Sequence, residues 1–172
     1  ITPNGSVNPP TAPILRVGEV YKLTADLYNT PLIVEKNNVI VDGQGFALRG
    51  PGSGVALNLT CTNVTVQNFG ISGWNTGVLG VFDNNMITSN NFTNNDENLG
   101  IYANNYKVIS NSMGTPRRVA RMVGNNTIIA KNQIRLVHCA VGFWISSSSG
   151  TLFVANEVVS LSNCDYFITS DN

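Results

Sequence analysis

Six short runs of mostly apolar residues recur along the chain, each leading into the same kind of turn. They are Val39-Ile40-Val41, Val64-Thr65-Val66, Met86-Ile87-Thr88, Lys107-Val108-Ile109, Ile128-Ile129-Ala130 and Leu152-Phe153-Val154. The second residue after each run is Gly43, Asn68, Asn90, Asn111, Asn132 or Asn156, so successive steps are 25, 22, 21, 21 and 24 residues. A repeat of 20–30 residues with a short β-rich stretch in each marks a solenoid. Side chains alternate across a strand. On this register Val41, Val66, Thr88, Ile109, Ala130 and Val154 are expected to face inward. Ile40, Thr65, Ile87, Val108, Ile129 and Phe153 are then expected to form an outward, mostly apolar stripe. Such a stripe reads as a contact surface, as a face covered by a loop, or as a register one residue off.

After the turn, apolar residues return as Phe46, Ile71, Phe92, Met113, Ile134 and Val158. A third segment follows a glycine at Gly54-Val55, Gly77-Val78, Gly100-Ile101 and Gly142-Phe143, with Tyr166-Phe167 in that place last. Three short strands per repeat predict an all-β, three-sided parallel β-helix of about six coils. Stacked coils lie about 4.8 Å apart. Asn68, Asn90, Asn111, Asn132 and Asn156 are therefore expected to hydrogen-bond from coil to coil as a structural ladder that sets register.

Outside the repeats, residues 1–16 carry Pro3, Pro9, Pro10 and Pro13. Proline fixes φ and removes an N–H, so this segment is expected to be an extended arm. It reads either as a flexible lead-in or as an arm lying along a neighbouring subunit. The β-helix domain then occupies 17–172, with 17–30 covering its N-terminal end. The stretch after Asn156 is shorter than one coil and ends on Tyr166-Phe167-Ile168, so the pattern leaves that end open. Solenoids need caps, so either the chain is a fragment or another subunit covers that end, and with the arm the latter makes homo-oligomer or filament formation expected.

Charge narrows the partners. Ten basic and ten acidic residues cancel in 172, and charged residues make up 12%. That balance gives no electrostatic basis for binding nucleic acid. No run of about 18 apolar residues suggests a membrane span.

The stretch from Val20 to Gly45 holds Val-Tyr-Lys-Leu-Thr-Ala-Asp at Val20 to Asp26 and Ile-Val-Glu-Lys-Asn-Asn-Val-Ile-Val-Asp-Gly at Ile33 to Gly43. It resembles the start of right-handed parallel β-helix repeat proteins, including the pectate-lyase-like and NosD-type groups. With the Pro-Pro-Thr-Ala-Pro segment at Pro9 to Pro13, the chain is similar to secreted archaeal surface proteins. The resemblance covers Pro9 to about Asn156 and implies a right-handed coil. Pectate lyases cleave acidic polysaccharides and NosD-type proteins are linked to copper-enzyme maturation, so the fold alone does not assign an activity.

Candidate chemistry falls on one stripe. Six residues after each ladder position stand Arg49, Trp74, Asp96, Arg117, His138 and Ser162. Trp74, Asp96, Glu97, Arg117, Arg121 and His138 could line a ligand site with Trp74 as a sugar-stacking platform. They read equally as a solvated charge ladder, with Asp96 and Glu97 one coil below Arg117 and Arg118. Further acids, among them Glu35, Asp42, Asp83, Glu157 and Asp165, are scattered. That scatter counts against a calcium-dependent lyase and against a glycoside hydrolase. Met86, Met113, Met122 and His138 occupy different positions in their coils, which counts against copper handling. No metal, cofactor or catalytic residue is therefore expected. Cys139 and Cys164 are one coil apart and are expected to form a disulfide, or else to be small buried thiols, leaving Cys61 over. A bridge there suits an extracellular setting. Asn4, Asn58, Asn63, Asn91 and Asn125 head glycosylation sequons. The pattern points to a non-enzymatic secreted or cell-surface protein that self-associates into a layer or filament. The alternative is an extracellular polysaccharide-binding or polysaccharide-cleaving module.

Overall fold

The computed structural model describes residues 1–115, 117–137, 140–146, 148–160 and 166–171. Its strands assemble into three sheets of eight, seven and seven strands, and successive coils contribute one strand to each. This is a three-sided parallel β-solenoid of about six coils, as the repeat predicts. No helix among the described residues is long and apolar enough to cross a membrane.

Sheet 1 contains the six apolar runs. Its strand order is Ile14–Val17, Val20–Leu23, Ile40–Asp42, Thr65–Gln67, Met86–Thr88, Lys107–Ile109, Ile128–Ala130 and Leu152–Val154. The first pair is antiparallel and the rest are parallel. Sheet 2 runs from Leu27–Tyr28 to Glu157–Ser160, and sheet 3 from Leu32–Val34 to Tyr166–Asp171. Each sheet sends at least one column of apolar side chains inward. Val41, Val66, Ile87, Val108 and Ile129 form the first, Leu48, Ile71, Phe92 and Met113 the second, and Leu57, Val78, Leu99, Ala120 and Phe143 the third. All of these are fully buried. Removing a large apolar side chain from water contributes about 1.5–3 kcal/mol, so the stacked columns dominate the favourable side of folding.

The inward column corrects the register expected from the asparagines. Ile87 pairs with Val66, and Thr88 with Gln67. Continued along the strands, this aligns Ser89 with Asn68 and Asn90 with Phe69. Ile87, Val108 and Ile129 therefore face the core and do not form an outward stripe, while Thr88 and Ile109 are half-exposed on the outer face. The cause is a left-handed residue at this corner. Asn68, Ser89, Ser110, Lys131 and Ala155 have φ between 50 and 58°. Asparagine tolerates that conformation better than most residues. Asn68 thus occupies the turn position itself, one residue before the ladder.

The ladder begins at Asn90. Its Oδ1 accepts the N–H of Phe69 at 3.0 Å, and its Nδ2 donates to the carbonyl of Val66 at 3.1 Å. Asn111, Asn132 and Asn156 hold the coil before them in the same way, accepting the backbone N–H of Asn90, Asn111 and Asn132 at 2.9, 2.9 and 3.0 Å. Asn68 lies outside this column, on the surface, and donates to Asp42 at 3.0 Å.

Residues 1–16 do not form an extended arm. Gly5 N–H donates to Thr2 at 2.8 Å and Ala12 N–H to Pro9 at 3.0 Å, so the segment turns twice. Glu35 N–H donates to the Ile1 carbonyl at 2.9 Å, and the Tyr21 hydroxyl to that of Gly5 at 2.7 Å. Val7 and Ile14 pack on the core. Tyr21 is fully buried, and its hydroxyl needs an acceptor that the segment supplies. The segment covers the chain's own first coil, and strand Ile14–Val17 crosses the boundary expected at residue 16.

Candidate functional site

The solenoid places polar chemistry in two kinds of location: inside the corners and on the outer faces of the sheets. The interior set is structural. One coil carries a buried asparagine at each of its three corners: Asn85, Asn90 and Asn95. Each directly follows a left-handed residue, respectively Asn84, Ser89 and Asn94. Asn85 Oδ1 accepts from Val64 N–H at 2.8 Å and Asn95 Oδ1 from Trp74 N–H at 3.0 Å. A turn residue swings the chain round the corner, and the next side chain points inward to satisfy the turn below. The doublets Asn84-Asn85 and Asn94-Asn95 carry this signal in the sequence, five residues either side of Ser89-Asn90.

The outer face of sheet 3 holds most of the stripe expected to carry chemistry. Glu97 pairs in register with Arg118, and Gly100 with Arg121. Arg118 Nη1 donates to Glu97 Oε1 at 2.9 Å, with side chains only 11% and 14% exposed. Arg121 Nε lies 3.8 Å from the same oxygen and its Nη1 donates to the Tyr102 hydroxyl at 3.3 Å. Arg117 and Asp96 approach to 3.9 Å with 69% and 52% of their side chains exposed. The first pair is nearly dry and the last is screened by water.

Trp74 does not belong to this surface. It is 3% exposed and its indole N–H donates to the Leu48 carbonyl at 3.1 Å. A Cβ on Gly50 would collide with its ring. The glycine beneath it lets the ring turn into the core, so Trp74 is a packing residue and not a sugar platform. The tryptophan on the outer face is Trp144, which pairs with Arg121 one coil later. The guanidinium carbons of Arg118 and Arg121 lie 5.1 and 6.0 Å from its ring centroid. Adding one coil to Arg121 reaches Trp144 in the sequence, but the stripe counted from the asparagines passes it by.

His138, Cys139 and Cys164 lie outside the described residues. Cys61 is buried and unpaired. Its thiol lies 3.1 Å from the Val34 carbonyl and 3.2 Å from that of Lys36. Burial pushes it up to about 11, which disfavours the nucleophilic thiolate.

The sequon asparagines differ in setting. Asn4 accepts from Ser6 N–H at 3.0 Å, Asn63 donates to Asn38 at 2.7 Å and Asn125 accepts from Ser149 N–H at 2.8 Å. Asn58 has a buried Oδ1 without a partner. Asn91 is exposed on strand Asn91–Thr93, with Thr93 on the same outer side.

The carboxylates serve neighbouring coils. Asp42 accepts from Gln44 N–H at 2.9 Å, Gln67 at 3.0 Å and Asn68 at 3.0 Å. Asp26 accepts from Ala47 N–H at 2.8 Å, and Asp83 from Asn104 N–H at 2.8 Å. Among the described residues no three His, Cys, Asp or Glu side chains group closely enough to hold a metal ion. No protein-family profile, curated protein or solved structure matches the chain.

Proposed function

We propose that this chain is a non-enzymatic structural protein of an extracellular or cell-surface setting that associates with further copies of itself. The outer face of sheet 1 carries the reading. Leu15, Val17, Ile40, Leu152 and Val154 are 54, 55, 37, 52 and 42% exposed there. Met86, Ile109 and Ile128 add half-buried apolar surface to the same face. A flat sheet face of that character is a contact surface. The engagement of Asp26, Asp42, Asp83 and Glu97 in turn and coil-to-coil contacts agrees with a scaffold role. On this reading the chain is a surface protein of the β-helix kind and not a pectate lyase or NosD-type protein, and Asn91 is the sequon best placed to project a glycan. The test is the mass in solution by light scattering across a range of concentration. A mass that rises with concentration supports self-association, and an unchanging monomer mass contradicts it.

A second reading is the binding of an extracellular polysaccharide at Trp144, Arg118, Arg121 and Glu97. The observation favouring it is an aromatic ring beside two guanidinium groups on an open sheet face. Titration calorimetry with acidic oligosaccharides tests it: heat of binding lost in Arg121→Ala supports this reading, and no heat contradicts it.

A further inference from the structure

The outer face of sheet 3 carries an unbalanced charge. Two columns of side chains point out from its middle coils: Thr76, Glu97, Arg118 and Val141, and beside them Leu79, Gly100, Arg121 and Trp144. Continued one residue past Gly80, Ile101 and Met122, the same register sets Val81, Tyr102 and Val123 in a third. Among the described side chains of these columns the charges are Glu97, Arg118 and Arg121, one negative against two positive. The neighbouring Arg117 and Asp96 face each other. Arg118 takes the carboxylate of Glu97 at 2.9 Å, and both are nearly dry. Arg121 lies 3.8 Å from the same oxygen and keeps 43% of its side chain exposed. The surplus charge is therefore presented at Arg121.

Arg121 has one further contact. Its Nη1 donates to the Tyr102 hydroxyl at 3.3 Å. A phenol that accepts from a guanidinium still has its own proton to give. Tyr102 is 40% exposed, and that proton has no acceptor among the described residues. Arg121 and Tyr102 thus form an exposed pair of donors in contact. The surface around them is apolar. Val81 and Phe82 are exposed in the coil before Tyr102, and Trp144 stands in the coil after Arg121.

Resting on the polysaccharide reading above, we propose that Arg121 and Tyr102 receive one oxyanion of an acidic sugar, a carboxylate or a sulfate. The guanidinium fork and the phenol proton bind its oxygens, and the C–H face of the sugar ring lies on Val81 and Phe82. Such an anion balances the surplus charge, which a neutral sugar leaves uncompensated. A bare inorganic anion would meet the donors but leave the apolar surround in water. A sugar acid has both an anion and an apolar face, so the site favours it over either. Arg118, Glu97 and Trp144 are positioning residues. Glu97 neutralises Arg118, and the Trp144 ring packs 5.1 and 6.0 Å from the two guanidinium carbons. Phe82, Tyr102, Arg121 and Trp144 belong to four successive coils. Three coil spacings span about 14 Å along the solenoid, the reach of a short oligosaccharide.

Titration calorimetry of the full chain tests the pair with three oligosaccharides of equal length, one bearing carboxylates, one bearing sulfates and one neutral. The expected result is that a charged probe binds at least roughly tenfold more tightly than the neutral one, and the tighter charged probe identifies the anion. Tyr102→Phe keeps the ring but removes the donor, and weakens that probe about tenfold because a hydrogen bond to a charged group is lost. Tyr28→Phe, on sheet 2, leaves binding unchanged. Equal binding of charged and neutral probes, or wild-type affinity in Tyr102→Phe, overturns the receptor pair and leaves the polysaccharide reading standing. No heat with any of the three overturns both.

Discussion

The side-chain carbonyl of Asn111 accepts the backbone N–H of Asn90, one coil earlier, at 2.9 Å. The same amide donates to the Ile87 carbonyl at 2.9 Å. One side chain thus satisfies both backbone groups of a buried corner. Replacing Asn111 by leucine leaves them unpaired and costs about 2–4 kcal/mol. Asn91→Leu, on the outer face, changes stability by less than about 0.5 kcal/mol. Denaturant unfolding of the two variants measures the difference, and equal midpoints would contradict the ladder. Asn94→Leu is a poorer comparison, because φ is 54° there and a leucine adds roughly 1 kcal/mol of left-handed strain.

The ladder also shows what was legible in the sequence. The period, the three strands per coil and the ladder role of Asn90, Asn111, Asn132 and Asn156 follow from spacing alone. The register of the early coils does not, because asparagine suits both a ladder and a left-handed turn. Asn68 is the turn kind, and counting it as a rung made one step 22 where the structure aligns residues 21 apart. The expected outward stripe changes sides with it: Ile40 and Thr65 point out, whereas Ile87, Val108 and Ile129 point in. Residues 1–16 misled for a related reason: proline favours turns as readily as extended chain. A count along the chain puts Trp74 on the surface because it cannot show that the glycine one coil below leaves room for its ring.

Glu97 and Asp96 are neighbours with unequal roles. Glu97→Ala strands the nearly dry Arg118 guanidinium and destabilises by about 3 kcal/mol. Asp96→Ala loses an exposed 3.9 Å pair with Arg117 and costs less than Glu97→Ala does. Thermal unfolding of both variants checks this, and equal shifts would remove the distinction between the two pairs.

Asp42 makes stability depend on acid. Burial pushes its carboxyl up, but hydrogen bonds from Gln44, Asn68 and Gln67 outweigh this and hold it below its ordinary 3.8. The unfolded chain therefore takes up the proton first. The stabilisation is present above 3.8 and is lost as pH falls through the lower folded value. Asp42→Asn removes that contribution, so the wild type loses stability more steeply below about pH 4 than the variant does. Identical acid limbs in the two titrations would contradict the assignment.

Cys61 shows the opposite sign at high pH. Its folded thiol stands near 11, above the unfolded value of about 8.5. Its contribution is complete below the unfolded value and is lost as pH rises towards 11. At neutral pH, alkylation of Cys61 tracks unfolding in denaturant. Rapid labelling of Cys61 in the native protein would contradict its burial.

Gly43 stands where the first coil meets Phe69. A Cβ there would lie 2.5 Å from the Asn68 carbonyl oxygen and 2.7 Å from the Phe69 ring. Gly43→Ala is expected to cost about 2–3 kcal/mol through overpacking. At Gly45 a Cβ meets nothing within 4 Å, and φ is +84°, so Gly45→Ala costs only about 1 kcal/mol of backbone strain. Melting temperatures rank the pair, and the reverse order would contradict the packing at this corner.

Self-association through the outer face of sheet 1 is tested most directly by sedimentation equilibrium of the chain beside its Val17→Lys variant. The account predicts that the wild type rises with concentration above 18.5 kDa, while the variant remains at 18.5 kDa. Both chains holding 18.5 kDa at every concentration would contradict it.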